Sequence, residues 1–111
     1  PTAAELFRRL GDAYLGNERA GEAIGLYRRA LALDGSHGPG SSRVGPDELR
    51  SRTLASLARA FAARQRHLAA LLSVEDALAA GASEDAVRAV REEALGALGE
   101  HWHRVQSYLA E

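Results

Sequence analysis

The spacing of apolar residues over residues 6–34 constrains the fold more than any other feature of this chain. Large apolar side chains recur every three or four positions in two successive runs, at Phe7, Leu10 and Tyr14, and then at Ile24, Tyr27 and Leu31. Each run predicts an amphipathic helix. Small residues stand beside these runs, at Gly11, Ala20, Ala23 and Ala30. Between them, Gly16 and Asn17 both tolerate the left-handed backbone conformation that ends helices. The stretch therefore predicts two antiparallel helices joined by a short turn.

The same residues match a recognisable order of large and small side chains. That order is Phe7-x2-Leu10-Gly11-x2-Tyr14, then Ala23-x3-Tyr27 and Ala30. It resembles the tetratricopeptide repeat (TPR), whose pattern is Trp-x2-Leu-Gly-x2-Tyr followed by Ala-x3-Phe and Ala. Only Gly35 departs, because the family has a closing proline there. The resemblance implies an all-α fold of antiparallel helix hairpins in a right-handed superhelical stack, and the task of holding another polypeptide.

A weaker copy of the pattern lies in residues 46–81. It comprises Leu54-x2-Leu57-Ala58-x2-Phe61, then Ala70-x3-Val74 and Ala77. This copy resembles a second repeat, with its turn expected near residues 64–67. One unbroken helix over residues 49–80 is the alternative, because that stretch contains no Gly and no Pro.

The last part of the chain predicts one further helix. Gly81 is expected to end the preceding helix and Ser83 to cap the next one, which covers residues 83–110. Leu95-x2-Leu98-Gly99-x2-Trp102 imitates the opening of a third repeat. We expect a capping helix or an incomplete repeat, whose apolar side needs covering by self-association, a swapped helix or a partner helix.

The length of 111 residues predicts a single domain of about five helices. Residues 1–34 form the first repeat, with Thr2 and Glu5 as a capping box at its start. Residues 35–45 are rich in Gly, Ser and Pro and predict a flexible loop. Residues 46–81 form the second repeat, in which Pro46 suits the first helical turn.

Charge is unevenly distributed, although the net charge is only −1. Residues 43–67 carry six Arg against two acids, whereas residues 68–111 carry three Arg against eight acids. All 14 basic residues are Arg. Solvation of helix surfaces, with pairing between positions four apart, accounts for such charges.

No chemical constellation in the sequence predicts an enzyme. The absence of Cys excludes disulfides and thiol nucleophiles, and no apolar run reaches the length of a membrane span. His101 and His103 would point to nearly opposite sides of a helix, which is unfavourable for gripping one metal ion. We expect no enzymatic activity, no cofactor and no metal site, and a cytoplasmic location.

The family resemblance also implies where a partner would bind, because the first helix of each TPR hairpin lines the concave face. Carried over, the partner-binding residues are Glu5, Arg8, Asp12 and Leu15 from the first repeat, and Arg52, Ser56 and Arg59, with Ala55 and Ala62, from the second. The three arginines of this set, Arg8, Arg52 and Arg59, would form a basic patch that suits carboxylates. Asp12 and Ser56 stand where the family's carboxylate clamp has Asn, so that clamp is not assigned.

The expected function is a protein-interaction module, an adaptor or regulatory part of a larger bacterial assembly. Its partner would be an acidic or amphipathic peptide or helix. A homodimer formed through the C-terminal helix is one alternative. Nucleic-acid binding by residues 50–66 is another, which the absence of Lys and of interleaved aromatic residues disfavours.

Overall fold

Five α-helices make up the part of the chain that the computed structural model describes, which is residues 2–34 and 48–110. They are α1 (Ala3–Gly16), α2 (Ala20–Asp34), α3 (Glu48–Ala63), α4 (His67–Ala79) and α5 (Glu84–Ala110). The prediction of an all-α fold with about five helices is confirmed. The predicted loop over residues 35–45 and the role of Pro46 lie outside the described residues.

The helices pack mainly as sequential neighbours. The closest associations are α1 with α2 and α3 with α4, followed by α2 with α3 and α4 with α5. Since only three residues separate α3 from α4, these two helices double back on each other as a hairpin. The predicted hairpin is therefore confirmed, and the alternative of one unbroken helix over residues 49–80 is wrong. The right-handed superhelical stacking stays a prediction.

The turn after α1 is a Schellman motif, in which two backbone hydrogen bonds close the last helical turn. The Glu18 amide donates to the Leu15 carbonyl at 3.1 Å, and the Arg19 amide donates to the Tyr14 carbonyl at 2.9 Å. Glu18 adopts the left-handed conformation, with φ of 62°. The prediction that Gly16 and Asn17 provide it is wrong, because α1 runs through Gly16 and Asn17 has φ of −98°.

The same motif recurs after α3 and after α4. Gln65 takes the left-handed position in the second turn, with φ of 62°, and Gly81 takes it in the third, with φ of 108°. The longer-range bonds run from Arg66 to Phe61 and from Ala82 to Ala77, each at 2.9 Å. Among the described turns, only the third has a glycine at the position where glycine costs least.

Two predicted helix caps are present. The Thr2 hydroxyl accepts a hydrogen bond from the Glu5 amide at 3.1 Å, and the Ser83 hydroxyl accepts one from the Ala86 amide at 3.2 Å. The Glu5 carboxylate pairs with Arg9 at 3.1 Å, so it adds an i,i+4 ion pair to the first turns of α1.

Small side chains lie at the centres of the helix contacts, as predicted. Ala23, Ala58 and Ala70 have no exposed surface, and Gly11 is buried. Among the large residues of the first two runs, Tyr27 is fully buried but Leu10 is 46% exposed. Leu10 belongs to the predicted apolar stripe but lies outside the core, because α1 contacts only α2 and α3 among the described helices.

The core is centred on α3, which contacts all four of the other described helices. Ten of its residues are buried, against two in α1. This central position places the solvent-facing side of α3 between α1 and the start of α5, where it forms the floor of a groove.

Candidate functional site

A groove of about 350 Å³ opens between α1, α3 and the beginning of α5. The two earlier helices supply its charged side chains, whereas the turn before α5 and its first residues supply small ones. Its lining residues are Arg8, Asp12, Glu48, Ser51, Arg52, Ala55, Ser56, Arg59, Gly81, Ala82, Ser83 and Ala86. We call this surface the groove.

A hydrogen-bonded chain of side chains forms one wall of the groove. The hydroxyl of Tyr27, a fully buried residue of α2, donates to Asp12 Oδ1 at 2.5 Å. Arg8 Nη1 donates to Asp12 Oδ2 at 2.8 Å. Both oxygens of the Asp12 carboxylate are therefore engaged within the chain. Asp12 acts here as a positioning group for Arg8 and Tyr27.

Burial of the Tyr27 ring, and then the hydrogen bond and negative charge of Asp12, raise the pKa of the Tyr27 hydroxyl above its ordinary value of 10.0. Ser56 and Arg59 act in the opposite direction. The hydroxyl is consequently neutral throughout the physiological range, and it serves as a hydrogen-bond donor.

The three arginines of the predicted basic patch differ in what they already bind. Arg8 pairs with Asp12, and Arg52 pairs with Glu48 at 2.6 Å. Arg59 donates to the Ser56 hydroxyl at 3.1 Å, and within residues 2–34 and 48–110 it has no carboxylate partner. The groove therefore offers one uncompensated positive charge in its described part, in place of the three that the sequence suggested.

The structure brings together five of the seven predicted partner-binding residues, which are Arg8, Asp12, Arg52, Ser56 and Arg59. Glu5 lies beside the groove, in a neighbouring depression shared with Arg8 and Arg52. Leu15 lies apart from it, near the α1–α2 turn and Arg64.

Of the two alanines expected on this face, Ala55 lines the groove. Ala62 is only 3% exposed and belongs to the core. The carried-over positions in the middle of α1 and α3 thus line the groove, whereas Leu15 and Ala62, towards the C-terminal ends of these helices, do not.

Several groove residues were missed by the sequence reasoning. Ser51 was missed although it lies on α3 beside Arg52, and Ser83 and Ala86 were missed because α5 was treated only as a capping helix. The helical period would have indicated Ser51, which precedes Ala55 by one turn. Nothing in the local sequence indicates that the start of α5 closes the third side.

The described ranges hold no cluster of three or more His, Asp or Glu side chains that could bind a metal ion. Across the same ranges, no helix has the length and apolar character that crossing a membrane requires. Comparisons of the chain with protein-family models, with curated proteins and with solved structures give no match. The interpretation of the groove therefore depends on its own chemistry and on the repeat pattern in the sequence.

Proposed function

We propose that this chain is a non-enzymatic protein-interaction module of the tetratricopeptide type, which binds a peptide or helix of a partner protein in the groove. The observation that supports the proposal is the common placement of Arg8, Arg52, Ser56 and Arg59 on one concave surface. These residues come from the first helices of two successive hairpins, as the repeat pattern implies. The proposed context is an adaptor or regulatory role in a larger assembly.

The polar groups of the groove favour a partner segment with an acidic side chain. Arg59 can offer a guanidinium to a carboxylate, and such charge-assisted bonds are stronger than neutral ones. Arg8 adds a buried Nε that has no hydrogen-bond partner in the described part of the chain. Leaving such a donor unsatisfied costs free energy, which a bound acceptor would offset. The exposed Ser83 hydroxyl, which accepts a hydrogen bond from the Ala86 amide, can donate to the partner's backbone.

The experiment that tests this proposal starts from peptides selected on the intact protein from a random displayed library. We expect the selected sequences to be enriched in Asp and Glu, and Arg59→Glu to weaken their binding at least about tenfold, because it places like charges in contact. Isothermal titration calorimetry measures the affinities, and circular dichroism verifies that the variant remains helical.

Arg104→Glu is the matched control, because Arg104 is an exposed arginine far along α5 whose nearest acid is 4.0 Å away. It makes the same change of charge outside the groove, and binding should stay within about twofold of the original. Equal losses in both variants would indicate nonspecific attraction. An unchanged affinity in Arg59→Glu would place the binding site elsewhere and refute the proposal.

Self-association through α5 is the second candidate function. Tyr108 is 79% exposed and Leu109 is 75% exposed near the end of this helix, and exposed apolar residues of this size favour an interface. Light scattering across a concentration series tests it, with a monomer at every concentration as the contrary result.

Nucleic-acid binding by residues 50–66 is disfavoured by the position of α3. Ten residues of this helix are buried, so it cannot be inserted into a nucleic-acid groove without unfolding the core. Near its end, Arg66 lies over the Phe61 ring, with its guanidinium carbon 5.1 Å from the ring centroid.

A further inference from the structure

A small residue follows Leu in three copies of the repeat pattern, and in the first two copies the structure accounts for it. In the first, the Tyr27 ring lies so close to Gly11 that a Cβ there would be 2.7 Å from Tyr27 Cε1. In the second, Ala58 and Val74 are both fully buried. Tyr27 follows Gly11 by sixteen positions, and Val74 follows Ala58 by sixteen. In the first copy the small residue thus marks where the second helix inserts a side chain, and Val74 holds the equivalent sequence position in the second copy.

The third copy, on α5, has the small residue without an inserted side chain. No heavy atom of the described side chains lies within 4 Å of the Cβ position at Gly99. Leu95 precedes Gly99 by four positions, as Leu54 precedes Ala58, yet Leu95 is 54% exposed and Leu54 only 4%. We call the surface formed by Leu95, Gly99 and Glu100 the open socket.

The residue directly after the small residue differs between the first two copies of the pattern. This difference indicates which side chain of a partner the open socket would bind. Asp12 follows Gly11 and accepts the hydrogen bond from the Tyr27 hydroxyl. Arg59 follows Ala58, and the residue sixteen positions beyond Ala58 is Val74, which has no hydroxyl. Glu100 follows Gly99, so the open socket repeats the glycine and carboxylate of the copy that holds a tyrosine.

We propose that the open socket binds a helix of a partner protein through a tyrosine whose ring lies on Gly99 and whose hydroxyl donates to Glu100. Residues 84–111 carry six acids against three arginines, so a basic helix is favoured electrostatically. Helix α2, whose Tyr27 packs against Gly11, is an example within this chain of such a basic segment, because Arg28 and Arg29 directly follow Tyr27. This surface is separate from the groove.

The exposed tyrosine of α5 does not suit the open socket in a symmetric dimer. Tyr108 lies nine residues beyond Gly99, about two and a half turns along the helix, and so on the opposite side. In a two-fold pair the same surface patch meets itself, which leaves each Tyr108 facing away from the partner copy's Gly99. A helix from a different protein is therefore the occupant that we propose.

The probe for this surface is a peptide of residues 19–34, which carries Tyr27 and its two arginines and is stabilised as a helix by a lactam bridge on the side away from the tyrosine. Fluorescence anisotropy measures its binding to the full chain. We expect binding that weakens at least about tenfold when the peptide's tyrosine is replaced by Ala, since aromatic anchors dominate such contacts. Glu100→Gln in the protein should weaken it several-fold.

Gly99→Leu fills the open socket and should also reduce the affinity at least about tenfold. Gly96→Leu is the matched control, because Gly96 is another α5 glycine whose Cβ position has no described atom within 4 Å. The affinity of this variant for the peptide should change by less than about twofold. Arg59→Glu in the groove should leave peptide binding unchanged, so this proposal and the proposed function can fail separately.

The inference is overturned if the peptide does not bind at about 1 mM, or if Gly99→Leu leaves the affinity unchanged. Sedimentation velocity provides a further criterion. A monomer with and without Gly99→Leu supports a foreign helix as occupant, whereas self-association that Gly99→Leu abolishes would identify a second copy and contradict the proposal.

Discussion

The two helix hairpins share their turn geometry and their sixteen-residue spacing, yet they fill the space between their helices in different ways. In the α1–α2 hairpin one aromatic ring lies against a glycine backbone and hydrogen-bonds to Asp12. In the α3–α4 hairpin two aliphatic positions, Ala58 and Val74, are fully buried in the main core.

The same hairpin backbone can therefore be packed with an aromatic side chain or with aliphatic ones. In the first hairpin one large side chain, Tyr27, fills the space against Gly11, and through Asp12 it is connected to Arg8 in the groove. The second hairpin has aliphatic residues at the equivalent positions, and ten residues of its first helix, α3, are buried among the four neighbouring helices. Substitutions in the two hairpins should therefore differ in how much they destabilise the protein.

The largest effect should come from Tyr27→Ala, which removes the ring from Gly11 and the donor from Asp12. We expect a loss of about 4 kcal/mol in the free energy of unfolding, as for other buried aromatic residues, against about 2 kcal/mol for Val74→Ala. Urea denaturation monitored by circular dichroism measures both. Equal losses would mean that the two hairpins do not differ in how packing is distributed.

Gly11→Ala should cause the next largest loss in the free energy of unfolding. The added methyl group would lie 2.7 Å from Tyr27 Cε1, and overpacking of this kind costs about 1–3 kcal/mol. This penalty should exceed the gain in helix propensity of about 1 kcal/mol. The control is Gly25→Ala in α2, where no described atom lies within 4 Å of the Cβ position, and where we expect stabilisation by up to about 1 kcal/mol. Thermal melts that rise for both variants would contradict the close approach of the Tyr27 ring.

Alkaline pH should destabilise the protein through Tyr27. Its pKa is raised in the folded state relative to 10.0, so the unfolded chain releases this proton first. The contribution of the Tyr27 hydroxyl to the free energy of unfolding is complete below about pH 10. Above that pH it falls by about 1.4 kcal/mol per pH unit, as expected for one titrating group. Tyr27→Phe should remove that slope from a series of urea denaturations, while Tyr14→Phe should keep it. A slope that survives in Tyr27→Phe would exclude this hydroxyl as its source.

The smallest effect concerns the turns, where the hairpins should behave alike. Glu18 and Gln65 both have φ of 62°, and replacing either with Gly should stabilise the protein by about 0.5–1 kcal/mol, after the entropy of glycine in the unfolded chain is subtracted. Gly81→Ala, at φ of 108°, should have the opposite sign. Differential scanning calorimetry resolves these shifts, and unlike signs at Glu18 and Gln65 would end the equivalence of the two turns.

The helices were predictable because their periodicity and caps are local properties of the sequence. The left-handed residue of the first turn was not predictable from the sequence, because nothing in a glutamate side chain favours that conformation. Glu18 adopts it since the Schellman hydrogen bonds require a left-handed residue there. The exposure of Leu10 was also not predictable, because the apolar stripe does not indicate how many helices pack against α1.

The candidate site was predictable only in part. The positions along α1 and α3 that reach the groove followed from the repeat pattern. The pairing of Arg8 with Asp12 and of Arg52 with Glu48 was readable from the four-residue spacing, and it reduces the basic patch to Arg59. The contribution of Ser83 depends on how α5 packs against α3, which is a long-range property.

The contact of α3 with every other described helix has a consequence for how the molecule opens. Helices at either end can detach while the middle persists, because each end has fewer neighbours to lose. Native-state hydrogen exchange should therefore proceed in steps, with the amides of α3 protected up to global unfolding and those of α1 and α5 exchanging through local opening. Binding at either end would then close these local openings, and slower exchange in α1 or α5 would report the bound partner.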